Sequence, residues 1–463
     1  MTSGRIVFSL ATVVGAPITQ SSPPASSRPP VRNLVVVTLD TVRADHLGCY
    51  DYFRDTTPHL DAFAAQSLRF TRCLTPIAQT TPSHTSLFTG VAPYEHGVFS
   101  NHSGMSARPG APAGLKTSAV LATLAEVLRA RGMKTGGFVA ATPVKRHTGL
   151  AAGFEAWAEP DSPRRGGREV IADALKFIDE RGERPYFLWV HLFDAHEPLR
   201  PPTLPKPYLD RFGEEPRLAS WLTERAFPAT TQELEQHELT VPEVNNHYDG
   251  ALRFLDEQLE VLLERLRRPQ ARDATAIVVV ADHGTSNGQH SLMGHGVCWD
   301  EQFRVPLLIR VPGVEPRVVD VAMSTLDLWP TLFALAPELR DEGFAQQCRG
   351  SDVLASGFEP RPIFGMAARQ NDVEALTAGR WKLLRAPRGV VHLFDLDADP
   401  FELADVSAQQ PEIVARLSKL LDAEVSRQKQ AGALRRKGAA AAVVDPKVLE
   451  ELRALGYAAD GGH

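Results

Sequence analysis

Four separated groups in this chain could do chemistry together: a hydroxyl, two carboxylates and an imidazole. In Thr80-Thr81-Pro82-Ser83-His84, Pro82 suits the first position of a helix, with Thr80 or Thr81 as its N-cap and Leu87 and Phe88 in the next turns. A helix start binds anions and favours a hydroxyl's alkoxide, so Thr80 is a candidate nucleophile. Asp40 ends the apolar run Asn33-Leu34-Val35-Val36-Val37-Thr38-Leu39, which reads as a buried parallel strand. Ala276-Ile277-Val278-Val279-Val280-Ala281 reads the same way and ends in Asp282-His283-Gly284. Ligands of open α/β sheets sit beyond the carboxyl ends of strands. Asp40, Thr80, Asp282 and His283 thus form an oxygen and nitrogen set suited to one divalent metal that also activates the nucleophile. Singly, each has a plainer reading as a helix cap or a polar turn; together they are harder to explain so.

The elements that must hold these groups alternate. Helical patterns over Ala119–Arg131, Arg168–Arg181 and Val244–Arg268 each precede a β-like run, as in a mostly parallel sheet covered on both faces. Pro198–Pro242 reads as an insertion over the active site. Beyond about Ala336 the pattern changes to short antiparallel strands at Ile363–Ala367, Glu374–Arg385 and Val391–Leu396, then a helix over Pro411–Gln428. The expected organisation is a segment 1–32, a catalytic domain 33–340, a small α+β subdomain 341–428 and a tail 429–463.

The wording of these motifs resembles the sulfatase branch of the alkaline phosphatase superfamily over roughly residues 33 to 405. Thr80–Gly90 is similar to the nucleophile motif C-x-P-S-R-x-S-L-L-T-G, with Thr80 where the family has the cysteine that becomes formylglycine. Leu39–Gly48 resembles L-D-T-x-R-A-D-H-L-G, and Thr57–Asp61 resembles T-P-N-L-D. Gly90–Val98, Gly294-His295-Gly296, Arg304–Arg310 and Leu393–Pro400 resemble further family blocks, in the family's order. The resemblance implies the α/β sulfatase fold, a large mostly parallel sheet flanked by helices with a small C-terminal antiparallel sheet plus helix. It implies that Asp40, Asp282 and His283 bind metal. It also implies that His196, in Asp194-Ala195-His196-Glu197-Pro198, protonates the leaving group and that His295 binds the charged oxygens, as catalytic partners of Thr80.

Departures from the family shift the chemistry. Threonine cannot become formylglycine, and its alkoxide suits phosphorus at least as well as sulfur. Thr41 and His283 stand where sulfatases place a second acid and an asparagine. Histidine favours Zn or Mn, with Ca still open, and the set is similar to one metal site of threonine-dependent nucleotide phosphodiesterases. His84 replaces the motif's arginine, and Ala140 and Thr142 occupy the stretch of an expected lysine/histidine pair, which implies a less cationic anion pocket.

The 463 residues allow a large core, and a net charge of −6 with no long basic run gives nucleic-acid binding no support. Cys49, Cys73, Cys298 and Cys348 show neither zinc-knuckle nor disulfide spacing. Arg5 before the apolar Ile6–Ala16, then a Ser/Pro-rich stretch, resembles a short export signal or a disordered tail, so periplasmic or secreted placement is favoured over cytoplasmic. Membrane association is not expected beyond such a signal. Three functions remain open: a metal-dependent hydrolase or transferase of phosphate esters acting through Thr80, on a small-molecule or glycan- or lipid-linked ester; a sulfuric ester hydrolase without formylglycine; or a catalytically inactive, sulfatase-like binding protein.

Overall fold

In the computed structural model the described residues are 30–101, 121–196, 204–367, 373–436, 446–455 and 457. The signal-like segment, up to residue 29, lies outside them. Fourteen strands run in chain order: β1 Asn33–Leu39, β2 Leu68–Leu74, β3 Lys134–Phe138, β4 Ala156–Ala158, β5 Tyr186–Leu192, β6 Thr275–Ala281, β7 Ser286–Asn287, β8 Met293–Gly294, β9 Arg304–Arg310, β10 Arg317–Ser324, β11 Ile363–Ala367, β12 Val373–Ala378, β13 Trp381–Arg385 and β14 Val391–Asp395. The main sheet has eight, in the order β10-β2-β9-β6-β1-β5-β3-β4. All neighbours pair parallel except β9, which runs antiparallel to β2 and β6. This is the large, mostly parallel sheet that the sequence led one to expect, with a four-stranded antiparallel sheet β11-β12-β13-β14 near the C-terminus.

β1, β5 and β6 lie side by side at the centre and every residue of all three is buried. That is why their sequences are continuous apolar runs rather than alternating ones. Their register aligns Leu39 with both Leu192 and Ala281, so the chain leaves all three strands at one sheet edge. Asp40, the residues leading to His196, and Asp282-His283 therefore emerge together.

Several boundaries differ from the sequence expectation. The long helix spans Val241–Arg267, because Thr240 and Glu243 form a capping box with Pro242 in the first turn. The expected strand Glu374–Arg385 is two strands joined at Gly379, whose φ of 60° suits a tight turn. The last helix of the small sheet continues to Arg436. Residues 341–358 pack with the large core, through Phe344 and Val353, so the small unit starts later than 341. The tail also rejoins that core: Leu452, Leu455 and Tyr457 are buried in it.

The small sheet supports the site from outside. Ile77, just before Thr80, packs with Phe364, Met366, Leu376, Leu383 and Leu393, and Ala78 packs with Phe303, Ala375, Leu384 and Phe394. Buried Glu95 accepts hydrogen bonds from Arg349 at 2.7 Å and from Arg427 of the last helix at 3.0 Å, tying that helix to the main body. Among the described residues, no helix is long and apolar enough to cross a membrane. All four cysteines are free thiols.

Candidate active site and metal centre

Thr80 is the first residue of the Thr80–Thr89 helix, and Gln79 is the N-cap. The expected N-cap role for Thr80 or Thr81 is thus corrected: Pro82 sits third in the helix, where its missing N–H is still harmless, so the helix begins earlier. All ten residues of this helix are buried. Its far end is anchored by Phe88, whose ring lies 4.5 Å from that of Trp189 in β5. Near its start, the Thr81 N–H donates to Asn101 Oδ1 at 2.8 Å and the Thr81 hydroxyl donates to the Pro143 carbonyl at 2.6 Å. The Thr80 hydroxyl is left to face the strand ends. Its Oγ1 is 3.4 Å from His283 Nε2.

Asp40, Asp282 and His283 each offer one ligand atom, and these atoms lie within 4.8 Å of one another, all buried. The donor set fits a cation in two independent ways. First, Asp40 Oδ1 and Asp282 Oδ2 are buried with no hydrogen-bond partner, an arrangement that is expensive unless a positive charge occupies the gap. Second, the imidazole is correctly oriented. His283 Nδ1–H donates to the Gly284 carbonyl at 2.8 Å, which leaves the Nε2 lone pair facing the centre. The other oxygen of Asp282 is occupied by the backbone N–H groups of His283 (2.8 Å) and Thr41 (3.2 Å). Two carboxylates and an imidazole suit Zn or Mn.

Burial is the dominant electrostatic fact. It pushes the Asp40 carboxyl up to about 7 despite the nearby His283, Thr80 and Asp282, and it raises Asp282, with Asp40 adding to the effect. Burial also pushes His84 down to about 3 and His191 down to about 4, so both are neutral.

These two histidines do work that the sequence reading missed. His191 Nδ1 accepts the Ala140 N–H at 3.3 Å, so its Nε2–H donates to Asp40 Oδ2 at 3.2 Å and fixes that carboxylate. The available signal was an imidazole inside an otherwise apolar buried strand, which must find a partner. His84, placed by motif in the arginine's position, holds the helix start as a neutral group. Its Nδ1–H donates to the Thr80 carbonyl at 2.8 Å and its Nε2 accepts from the Thr38 hydroxyl at 3.0 Å.

Thr41 does not join the metal set. Its hydroxyl donates to the Asp40 carbonyl at 2.8 Å, and its carbonyl accepts from Tyr248 at 2.8 Å. Its φ of 57° is a left-handed conformation that a β-branched residue rarely adopts. The strained turn delivers the Thr41 N–H to Asp282 while leaving the Asp40 side chain at the centre.

His196 and His295 reach the same place. The His295 ring is 4.3 Å from that of His283 and 5.6 Å from that of His196, and its Nδ1–H donates to the Ala78 carbonyl at 3.0 Å. His196 stacks on Phe193 at 4.2 Å. A cleft of about 830 Å³ opens beside His295, lined partly by Thr231–Gln236 of the Pro198–Pro242 insertion. The structure brings together all six sequence-predicted residues. The sequence reading named no cation in the stretch after β3, where Lys145 is buried two residues beyond Pro143.

The Sulfatase family model matches residues 32–338, about two-thirds of the chain. An ulvan-active sulfatase of Formosa agariphila is 24% identical over 444 residues, covering 84% of this chain and 81% of that protein. Human arylsulfatase A is 27% identical, with 85% and 82% covered. Among solved structures, the phosphonate monoester hydrolase of Agrobacterium radiobacter superposes with a TM-score of 0.67 at 19% identity, covering 87% of this chain and 96% of that one.

Proposed function

The chain belongs to the sulfatase family of ester hydrolases, and we propose that it cleaves phosphate esters ahead of sulfate esters by attack of the Thr80 hydroxyl. The observation that carries this reading is the placement of Thr80 Oγ1, buried at a helix start and 3.4 Å from His283 Nε2. No group in this arrangement calls for an aldehyde hydrate. Asp40, Asp282 and His283 would hold a divalent ion, which would supply positive charge that favours the alkoxide and offsets charge on the transferring oxygens.

The protein's own groups divide the remaining work. Thr80 attacks as its alkoxide, its proton lost to solvent beforehand: the Oγ1–P bond forms as the bond from phosphorus to the leaving oxygen breaks, and protonated His196 hands that oxygen its proton. His295 hydrogen-bonds the transferring oxygens. Water or another alcohol then displaces Thr80 and returns a proton to His196. His84 and His191 hold the nucleophile's helix and the Asp40 carboxylate still through both steps. The cleft bordered by the insertion admits a small-molecule, glycan- or lipid-linked ester. The names of the relatives favour sulfate as the alternative substrate, and the fold also carries phosphonate monoester hydrolysis.

Metal analysis of the purified protein followed by a panel of phosphate monoesters, phosphate diesters, phosphonate monoesters and sulfate esters tests the reading. The expected outcome is one tightly bound divalent ion and highest kcat/KM on a phosphoester. Highest kcat/KM on a sulfate ester would replace the substrate class. Bound metal with silence on every ester would favour the binding-protein alternative.

A further inference from the structure

The C-terminal segment occupies the active site with groups that match the chemistry of an ester substrate. Tyr457 Oη is 3.1 Å from His196 Nε2, and its ring is 6.0 Å from those of both His196 and His295. The other ring nitrogen of His196, Nδ1, is buried. The phenol therefore holds the nitrogen assigned above to the leaving-group oxygen. Six residues earlier, Glu451 Oε2 accepts hydrogen bonds from Lys145 Nζ at 2.6 Å and from the Thr142 hydroxyl at 2.8 Å. Lys145 lies in the turn whose Pro143 carbonyl receives the Thr81 hydroxyl, beside the nucleophile. It is a buried cation suited to an anionic oxygen, and a carboxylate already neutralises it. Leu452 and Leu455 pack into the main core and seat the segment.

We propose that residues 446–455 together with Tyr457 act as a substrate-mimicking occupant of the active site, Tyr457 taking the leaving group's place and Glu451 the place of an anionic oxygen. An ester must displace these contacts, so Tyr457 and Glu451 govern which substrates enter and how tightly. This rests on the role given to His196 in the proposed reaction. It differs in outcome from a structural wall, because removing a competing contact strengthens ligand binding whereas removing a supporting contact weakens it.

The test uses full-length protein with its metal, and inorganic phosphate and sulfate as probes, so no turnover is needed. Tyr457→Phe keeps the ring and removes the hydroxyl. Glu451→Gln keeps the shape and removes the charge that neutralises Lys145. By calorimetry, tighter oxyanion binding is expected, about fivefold for Tyr457→Phe and roughly tenfold for Glu451→Gln, the sizes of a neutral and a charged hydrogen bond. In the unmodified chain, saturating phosphate should accelerate amide exchange across residues 446–455. Unchanged or weaker binding in both variants, or exchange in that segment that phosphate slows or leaves alone, overturns the proposal. The exchange arm decides even if a variant folds poorly, and also if tighter binding in Glu451→Gln reflects charge alone. Failure here leaves the Thr80 reaction standing, since that reaction is judged by turnover of Thr80 and His196 variants.

Discussion

Removing the metal should give this protein a pH-dependent instability that Asp40 dominates and Asp40→Asn reduces. Asp40 is fully buried, and without a cation its carboxyl is pushed from an ordinary 3.8 to about 7. Between those values the unfolded chain has released its proton while the folded chain keeps it. The unfolded state therefore binds fewer protons, and stability falls as pH rises from about 4 to about 7, then levels off. At about 1.4 kcal/mol per pH unit, the loss is roughly 4 kcal/mol. The raised Asp282 carboxyl adds in the same direction. Unfolding entropy of about 2.1 cal/mol/K per residue over 463 residues gives about 1 °C of Tm per kcal/mol, hence about 4 °C. With metal bound, Asp40 is ionised in the folded state too, and this slope disappears. The assay is differential scanning fluorimetry with and without a chelator from pH 5 to pH 8. The Tm gap between loaded and chelated protein should widen by about 3 °C between pH 5 and pH 7.5, and chelated Asp40→Asn should show a clearly shallower slope. A gap that stays constant with pH, or chelated wild type that gains stability across this window, would refute the reasoning.

Two other substitutions follow from the same geometry. His196→Ala should lower kcat by about 10²–10⁴-fold on esters with poor leaving groups and much less on a nitrophenyl ester, whose leaving oxygen needs no proton; equal losses across a leaving-group series would remove His196 from that role. His191→Leu deletes the donor to Asp40 Oδ2 and should weaken metal affinity about 10–100-fold in a chelator competition, with far-UV circular dichroism unchanged.

The candidate set was legible because strand-end chemistry follows from topology. Continuous apolar runs ending in Asp40 and Asp282-His283 describe central parallel strands, and such strands end at one edge whatever lies between them. His196 and His295 came from motif wording, since nothing local distinguishes them from surface histidines. What stayed hidden depends on distant partners. His191 orients Asp40 only because β5 lies beside β1 in register. Lys145 and Glu451 are 306 residues apart and meet only in the fold. Tyr457 lies in a tail to which the sequence assigned no role, yet Leu452, Leu455 and Tyr457 are buried in the main core. The start of the Thr80 helix was misjudged for a local reason: proline is tolerated throughout the first turn, so Pro82 marks that turn without fixing its first residue.

The central claim is that Thr80 carries the transferred group. Acid quenching of wild-type protein during steady turnover of its best phosphoester, followed by peptide mapping, should find a phosphoryl group on Thr80, and Thr80→Ala should keep its metal and fold while losing activity by several orders of magnitude. Near-normal turnover by Thr80→Ala, with no adduct on Thr80 in the wild type, would contradict the account and leave attack to water.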